Sequence, residues 1–523
     1  MHVDKIAIIG SGPSGLVALN EFLHTTKNGS SLINSFRTAE NKFPVDPAFQ
    51  EIIVFEQNGN IGGTWNYSKS TDPAFPADLT SYSRPENLRP SLDPPTEDAL
   101  LQSSVERPFL RSVFPGVMED RPRWNKSGLY DDLFTNVSDR LMRFSSGYDI
   151  DSGTDKNANP YAPFITHKDV LSYLSKFADA NDLRKHVRFH SSVEKVYKKG
   201  NKWILIVVQL DTENGVEKWY REEFDAVLIA TGRFNTPFIP YFENMDRFIA
   251  NHPNCVSHTK AYRNTDEYEN KKVLLVGSSI SAVDLLQYLI PKCKEIWLSF
   301  NSPKLSVKPP QAKAAPGRWM RDILNDENAG FHRCARIKTF TEDGGVEFED
   351  GQVVHGFDKI LFATGYHLFY PFLEIPENRD RSYIRVYSGK KGQSNYALTK
   401  ADNAYLYTFT VGEPTLCYIG IAHNPLLFLT AEASAIAVAG VWSGAKQLPP
   451  LVEQKYWCEK KLEYQADGLQ MLDEHQFRPF ARELYEYAPK ERINLLQLVH
   501  DDEVEESRNI LREIFYKISR ASV

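Results

Sequence analysis

Lys5-Ile6-Ala7-Ile8-Ile9-Gly10-Ser11-Gly12-Pro13-Ser14-Gly15 is the stretch that decides the fold. Its apolar half, Ile6 to Ile9, is a short run of the kind a buried parallel strand needs. Gly10, Gly12 and Gly15 follow at G-x-G-x-x-G spacing. Pro13 stands where a helix begins and its missing N–H needs no partner. Leu16-Val17-Ala18-Leu19 carries that helix on. The physics is a tight turn that brings bare backbone to a pyrophosphate at a helix N-terminus. An ordinary Gly-rich turn is the competing reading. The flanking strand and helix are the context that favours the dinucleotide site.

Outward from this turn, Ile52-Ile53-Val54-Phe55-Glu56 reads as the second strand with a carboxylate at its end. In a Rossmann unit that group holds ribose hydroxyls, usually about 20 residues on. Here the spacing is about twice that, which makes 24–50 a surface insertion, tolerable because loop closure grows slowly with length. Gly62-Gly63-Thr64-Trp65 follows Glu56 closely, and the combination is more specific than either part. Tyr67 to Tyr130 holds nine of the 30 prolines and reads as an excursion over the surface. Leu133 to Phe144 resumes helical character, with Asn136 entering as a cap. His167 to Ala180 is a helix, and His190 to Tyr220 a hairpin. The strand Phe224 to Ile229 ends in Ala230-Thr231-Gly232, and closes the sheet beside the cofactor.

The opening pattern then repeats. Lys272 to Val276 is a strand, Gly277-Ser278-Ser279-Ile280-Ser281-Ala282 the turn, and Val283 to Leu289 the helix. One glycine of the three remains, and small Ser and Ala fill the other places. Glu295 to Phe300 carries no acidic residue at its end, whereas Ser299, Ser302 and Lys304 are suited to a 2′-phosphate, which favours NADPH. Phe357 to Tyr366 is a second strand running into Ala363-Thr364-Gly365, expected to return the chain to the first unit. Two nucleotide units, two A-T-G strands and a G-G-x-W form the architecture of a flavoprotein that takes electrons from a nicotinamide.

Composition narrows the classes. At 523 residues and 42% hydrophobic, the chain can bury a large core in two or more domains. A net charge of -7 with mixed signs does not favour a nucleic acid. The 5 cysteines include no C-x-x-C, which argues against a disulfide framework, a zinc site or a dithiol centre. The start leads straight into a strand rather than a signal peptide, and no apolar run approaches the roughly 20 residues of a membrane span. The expectation is a soluble cytoplasmic protein without integral membrane contact. The tail from Asp501 sets Ile510, Leu511, Ile514, Phe515 and Ile518 at helical spacing, for docking on its own surface or at a homodimer contact.

These residues resemble the flavin-containing monooxygenase family, class B flavoprotein monooxygenases, and its fungal soluble branch in particular. The resemblance runs to about Leu448 and rests on Gly10 to Gly15, Glu56, Gly62 to Trp65, Phe362 to Tyr366, and His423-Asn424-Pro425. The family's F-x-G-x-x-x-H-x-x-x-(Y/W/F) sequence is matched at His258 and Tyr262, while His252 and Asn254 replace its Phe and Gly. Tyr262, where Trp would stand in Baeyer–Villiger relatives, fits this family better.

The resemblance implies an α/β fold of two Rossmann-like domains, the smaller inserted in the larger. FAD would take 1–238 and 346–523, with the C-terminal helices, and NADPH 239–345. FAD contacts are expected at Gly10, Gly12, Pro13, Ser14, Gly15, Glu56, Gly63, Thr64, Trp65 and Thr231. NADPH and the A-T-G return are expected at Gly277, Ser278, Ser279, Ser281, Thr364 and Gly365, with no metal. The implied activity is NADPH- and O₂-dependent oxygenation of a small thiol, thioether or amine through a C4a-hydroperoxyflavin. Asn136 would orient that species by amide hydrogen bonds. The rival readings are a Baeyer–Villiger or N-hydroxylating enzyme, and a non-catalytic FAD-bound interaction protein.

Overall fold

The computed structural model describes residues 3–34, 43–72, 94–113, 125–147, 161–300, 318–374, 385–386, 399–401, 403–464, 472, 474–499 and 501–521. Two parallel sheets organise it. In the first, Lys5–Ile9 is central, paired in parallel with Glu51–Phe55 on one side and Ala226–Ile229 on the other. Val187–Arg188 extends one flank and Leu416–Tyr418 the other, and two short antiparallel strands close the latter edge. The central strands are buried on both faces, which is why they read as continuous apolar runs. Helix Pro13–Leu23 packs on Leu427–Trp442, a helix buried along nearly its whole length.

The second sheet runs Val256–His258, Lys359–Phe362, Lys272–Val276, Glu295–Ser299, His332–Cys334, all parallel. Its strands fall in sequence between those of the first sheet, so the smaller unit is inserted in the larger. One expectation is corrected here. Lys359–Phe362 does not return the chain to the first unit: it pairs with Val256–His258 and Lys272–Val276, so the second unit runs past residue 345. The stretch at 345 is instead part of an antiparallel ribbon, Ile337–Phe340, Gly345–Phe348 and Val353–His355. The two crossings between the units, Thr236–Pro237 and Tyr366–His367, pair with each other antiparallel.

Leu133 to Phe144 is not an α-helix; a single 3-10 turn at Asp139–Leu141 is all that forms. Thr135 explains why. Its N–H donates to the Ile165 carbonyl at 2.8 Å, and its hydroxyl accepts from Ile165 N at 3.2 Å while donating to Val137 O at 2.8 Å. Tertiary pairing with the 161–166 segment takes the groups a helix would use. The expected hairpin is a meander of Ser191–Lys199, Lys202–Asp211 and Val216–Phe224, with Phe109–Ser112 at its edge. That last strand lies within the Pro-rich excursion, whose residues 73–93 and 114–124 fall outside the described residues.

The C-terminal helix Asp501–Ser519 docks on the molecule itself. Leu511, Ile514 and Phe515 are buried in one cluster with Leu285, Leu286 and Leu289 of helix Ile280–Leu289. Tyr516 donates to Asp326 at 2.7 Å beside that contact. The apolar face read from the sequence is therefore spent against the second unit.

Candidate cofactor and active site

The first turn uses its three glycines for three different reasons. Gly10 N donates to Phe55 O at 2.8 Å, which pulls the turn onto the next strand. Its φ is +104°, and a Cβ there would stand 2.6 Å from the Ala230 carbonyl oxygen. At Gly15 a Cβ would meet Gly10 O at 1.9 Å, so only Gly lets the helix pass so close to the strand. Gly12 differs. Its φ is -71°, and its Cβ would find nothing nearer than Gly63 Cα at 3.5 Å. The protein has room for a side chain at Gly12; what needs the space is whatever enters the cavity it lines. No side chain caps helix Pro13–Leu23, leaving its N-terminus to an anion.

Glu56 sits beneath this turn, 4% exposed. One carboxylate oxygen accepts from Ser11 N at 3.0 Å and Ser11 Oγ at 2.8 Å; the other accepts from Asn58 N at 2.9 Å. A carboxylate has about four acceptor positions, so one remains for a ribose hydroxyl. Gly62 N donates to Ser11 O at 2.9 Å, and a Cβ at Gly63 would lie 2.9 Å from Gly12 Cα. The G-G-T-W segment is thus laid backbone to backbone on the glycine turn. Trp65 anchors it edge-on against Phe428, with centroids 6.4 Å apart. Of the first-unit candidates, all but Gly15 and Trp65 line one cavity. Arg233, Asn235 and Phe372 also line it, and sequence reasoning missed them.

The second turn repeats the construction. Gly277 has φ +122°, and a Cβ there would stand 2.5 Å from Ala363 O. Its N–H donates to Ser299 O at 2.8 Å. Ala230 and Ala363 each open an A-T-G segment, so both segments serve to close a carbonyl over the first glycine. Ser279 holds the place of Gly12 with matching backbone, φ -87° and ψ -174°, its side chain exposed and capping nothing. Ala282 replaces Gly15. Its methyl keeps the helix from approaching as closely, and the helix opens on a tight Ala282 N to Ser279 O bond of 3.0 Å. Ser278 and Ser281 flank this start.

Ser299 is not available to a 2′-phosphate. It is 1% exposed and its hydroxyl donates to Ala335 O at 2.8 Å. Ser302 and Lys304 lie outside the described residues. Thr364 and Gly365 sit at the crossing between the units and do not line the first cavity. The Thr364 hydroxyl donates to Phe238 O, and Gly365 O accepts from His258.

His258 is a strut. Its Nε2 donates to Gly365 O at 2.9 Å, and its Nδ1 accepts from Lys260 N at 3.1 Å, which sets the neutral tautomer. Burial pushes its pKa down to about 3, so it carries no proton traffic near neutrality. Arg263 extends the brace: its guanidinium donates to the carbonyls of Ser68, Ser70, Ser127, Lys260 and Tyr262 at 2.7 to 3.0 Å. It ties the segment after Trp65 to the second unit. The two departures from the family sequence keep its physics. Asn254 has φ +64°, the left-handed region that Gly favours and Asn tolerates. His252 stacks on Phe248 at 4.4 Å as an aromatic would.

Asn136 lies in a bend, exposed, between buried Thr135 and Val137. It caps no helix, and it is outside the lining of the first cavity. One turn into the second dinucleotide helix, Asp284 accepts from Gln287 at 2.7 Å. Burial raises its carboxyl to about 7. Its folded pKa lies above the unfolded value of about 3.9, so it weakens the fold as pH rises from 4 to 7, and fully above that. Asp284→Asn should therefore raise stability by about 1–3 kcal/mol at pH 8, discounted for partial exposure. The gain should shrink towards pH 4; melts showing an equal gain at both ends, or a loss at pH 8, would contradict it.

The comparisons agree with this construction. The flavin-containing monooxygenase iboF of Amanita muscaria (strain Koide BX008) is 25% identical over 474 residues, covering 86% of this chain and 80% of that one. The flavin-containing monooxygenase FMO GS-OX-like 9 of Arabidopsis thaliana is 27% identical over 451 residues, covering 85% and 77%. Among solved structures, the S-allyl-L-cysteine S-oxygenase from Allium sativum superposes with a TM-score of 0.63 at 21% identity, covering 98% of both chains. The profile of the FMO-like, flavin-binding monooxygenase-like family matches residues 117–307 and 323–478. With both dinucleotide turns in place and most of its length matched, the chain belongs to the flavin-binding monooxygenase-like family, and it is an oxidoreductase.

Proposed function

We propose that the chain binds FAD in the first cavity and NADPH at the second turn, and transfers one oxygen atom of O₂ to sulfur or nitrogen of a small thiol, thioether or amine. The observation that carries this is the duplicated turn: two first glycines, Gly10 and Gly277, each closed by an A-T-G carbonyl. Bound FAD would supply the redox chemistry, taking a hydride from the nicotinamide and activating O₂. The chain supplies position. Gly12 and the helix start receive the FAD diphosphate, and Glu56 the ribose. His258 and Arg263 fix the second unit against the first. Neither His258 nor His423 can relay protons near neutrality, since burial pushes both to about 3. Oxygen transfer to a soft nucleophile needs no such relay. Tyr262 at the end of the family sequence supports heteroatoms over ketones. A cytoplasmic location belongs to the same proposal; all five cysteines are free thiols, and no described helix is long and apolar enough to cross a membrane.

The test is product analysis with a thioether, an amine and a cyclic ketone under NADPH and O₂. Sulfoxide or N-oxide is expected; an ester as sole product would contradict the proposal. Asn136 belongs to it through the family resemblance: its side-chain amide would orient the reacting end of a bound FAD by hydrogen bonds. Because Asn136 is exposed and caps nothing, Asn136→Ala should change stability by less than about 0.5 kcal/mol. Product per NADPH should fall while peroxide rises, with about 10²–10³ lost in the rate of oxygen transfer. Unchanged coupling would remove Asn136 from the mechanism.

A further inference from the structure

Arg233 is a half-buried cation that the account above leaves unused. It follows Thr231-Gly232 at the end of strand Ala226–Ile229 and lines the first cavity with Gly12 and Ser14. Its Nη1 donates to the Ile421 carbonyl at 2.7 Å. Among the described residues it forms no ion pair; the ionisable groups that face it are the Tyr370 phenol and the His423 imidazole. Burial pushes the guanidinium down to about 10, which still leaves it charged near neutrality. A partly desolvated cation with no anion beside it is less favourable than one that a ligand completes.

The surroundings say where that anion sits. Ile421 follows Gly420, where a Cβ would lie 3.9 Å from Ser14 Oγ. Ser14 is in the uncapped first turn of helix Pro13–Leu23. The Arg233 guanidinium is therefore held, through Ile421, against the end of the cavity that the helix N-terminus makes favourable to anions. Beside it the His423 Nδ1 is buried with no hydrogen-bond partner, its ring 5.7 Å from that of Phe234. Arg233 is one of two cations in the lining of this cavity, with Lys126, and the His423 imidazole stands beside it.

We propose that Arg233 is a binding residue for the dinucleotide of the first cavity, its guanidinium pairing with an anionic diphosphate oxygen at the start of helix Pro13–Leu23. This rests on the reading of that cavity as the FAD site. Arg is suited to the role because its fork can donate to two phosphate oxygens while one N–H stays on Ile421.

The experiment strips the flavin and titrates FAD, and separately ADP, into the parent, Arg233→Gln and Arg233→Lys apo-proteins. ADP carries the diphosphate without the isoalloxazine. Arg233→Gln should weaken FAD and ADP alike by about 10- to 100-fold, the worth of a charged hydrogen bond. Arg233→Lys should recover part of both. The apo-protein melting point of Arg233→Gln should equal or exceed the parent's, because an unpaired, partly desolvated charge has been removed. Unchanged FAD and ADP affinities would overturn the proposal. So would a lowered apo melting point with unchanged affinities, which marks a purely structural role. A shifted flavin midpoint potential with ADP affinity intact would also overturn it, moving the cation to the isoalloxazine. Failure of the parent itself to bind FAD would instead overturn the underlying reading of the cavity.

Discussion

Gly12→Val should yield a folded protein without flavin. Most glycine replacements in a dinucleotide turn confound binding with folding, and Gly12 separates them. Its backbone, φ -71°, is open to any residue, and the nearest atom to a new Cβ is 3.5 Å away. The branches of Val would project into the cavity where the diphosphate approaches the helix N-terminus. Gly15→Ala is the control, because its Cβ would stand 1.9 Å from Gly10 O and must force the helix off the sheet. The expected pair is a colourless Gly12→Val whose apo form melts like the parent apo-protein, and a Gly15→Ala that melts well below it. A fully flavinated Gly12→Val would remove the site assignment.

Arg492→Met should strongly destabilise the first unit. Arg492, Glu21 and Glu432 have fully buried side chains, 0% exposed. The guanidinium donates to both Glu21 oxygens at 2.7 and 2.9 Å, to Glu432 at 2.8 Å and to Ser145 Oγ at 2.9 Å. These groups join helix Pro13–Leu23, the 145 turn, helix Leu427–Trp442 and the segment before the last helix. Without the cation, two carboxylates remain buried near one another. Breaking a buried pair in this way costs about 3–5 kcal/mol. The loss should shrink in acid, where the stranded carboxylates can take protons. Urea melts at pH 5 and pH 8 would show it; a loss under about 0.5 kcal/mol at pH 8 would contradict it.

What the sequence disclosed follows from range. The glycine turn, Glu56 and G-G-T-W are legible because their chemistry is local: each is a strand end or a turn whose spacing carries the constraint. The inserted second unit was legible because it repeats that grammar. Asn254 was a departure in letters and not in backbone, since a left-handed residue needs Gly or Asn. What failed depended on partners distant in the chain. Lys359–Phe362 has the apolar run of any buried strand, and only its neighbours decide which sheet receives it. Ser299 suited a phosphate by type but is consumed by Ala335 O. Thr135 left the helix for Ile165, and Arg263 gathers carbonyls from three segments. Arg233 gave no sequence signal, because its meaning lies in a missing counter-ion.

The central claim is that electrons pass from NADPH to FAD and on to O₂, one oxygen atom of which is transferred to a soft nucleophile while the other leaves as water. The most direct measurement is the visible flavin spectrum of the purified protein under anaerobic NADPH, followed by air and a thioether. The account predicts that NADPH bleaches the flavin band, that air restores it, and that sulfoxide appears in proportion to NADPH consumed. A flavin that dithionite bleaches and NADPH leaves oxidised would contradict it.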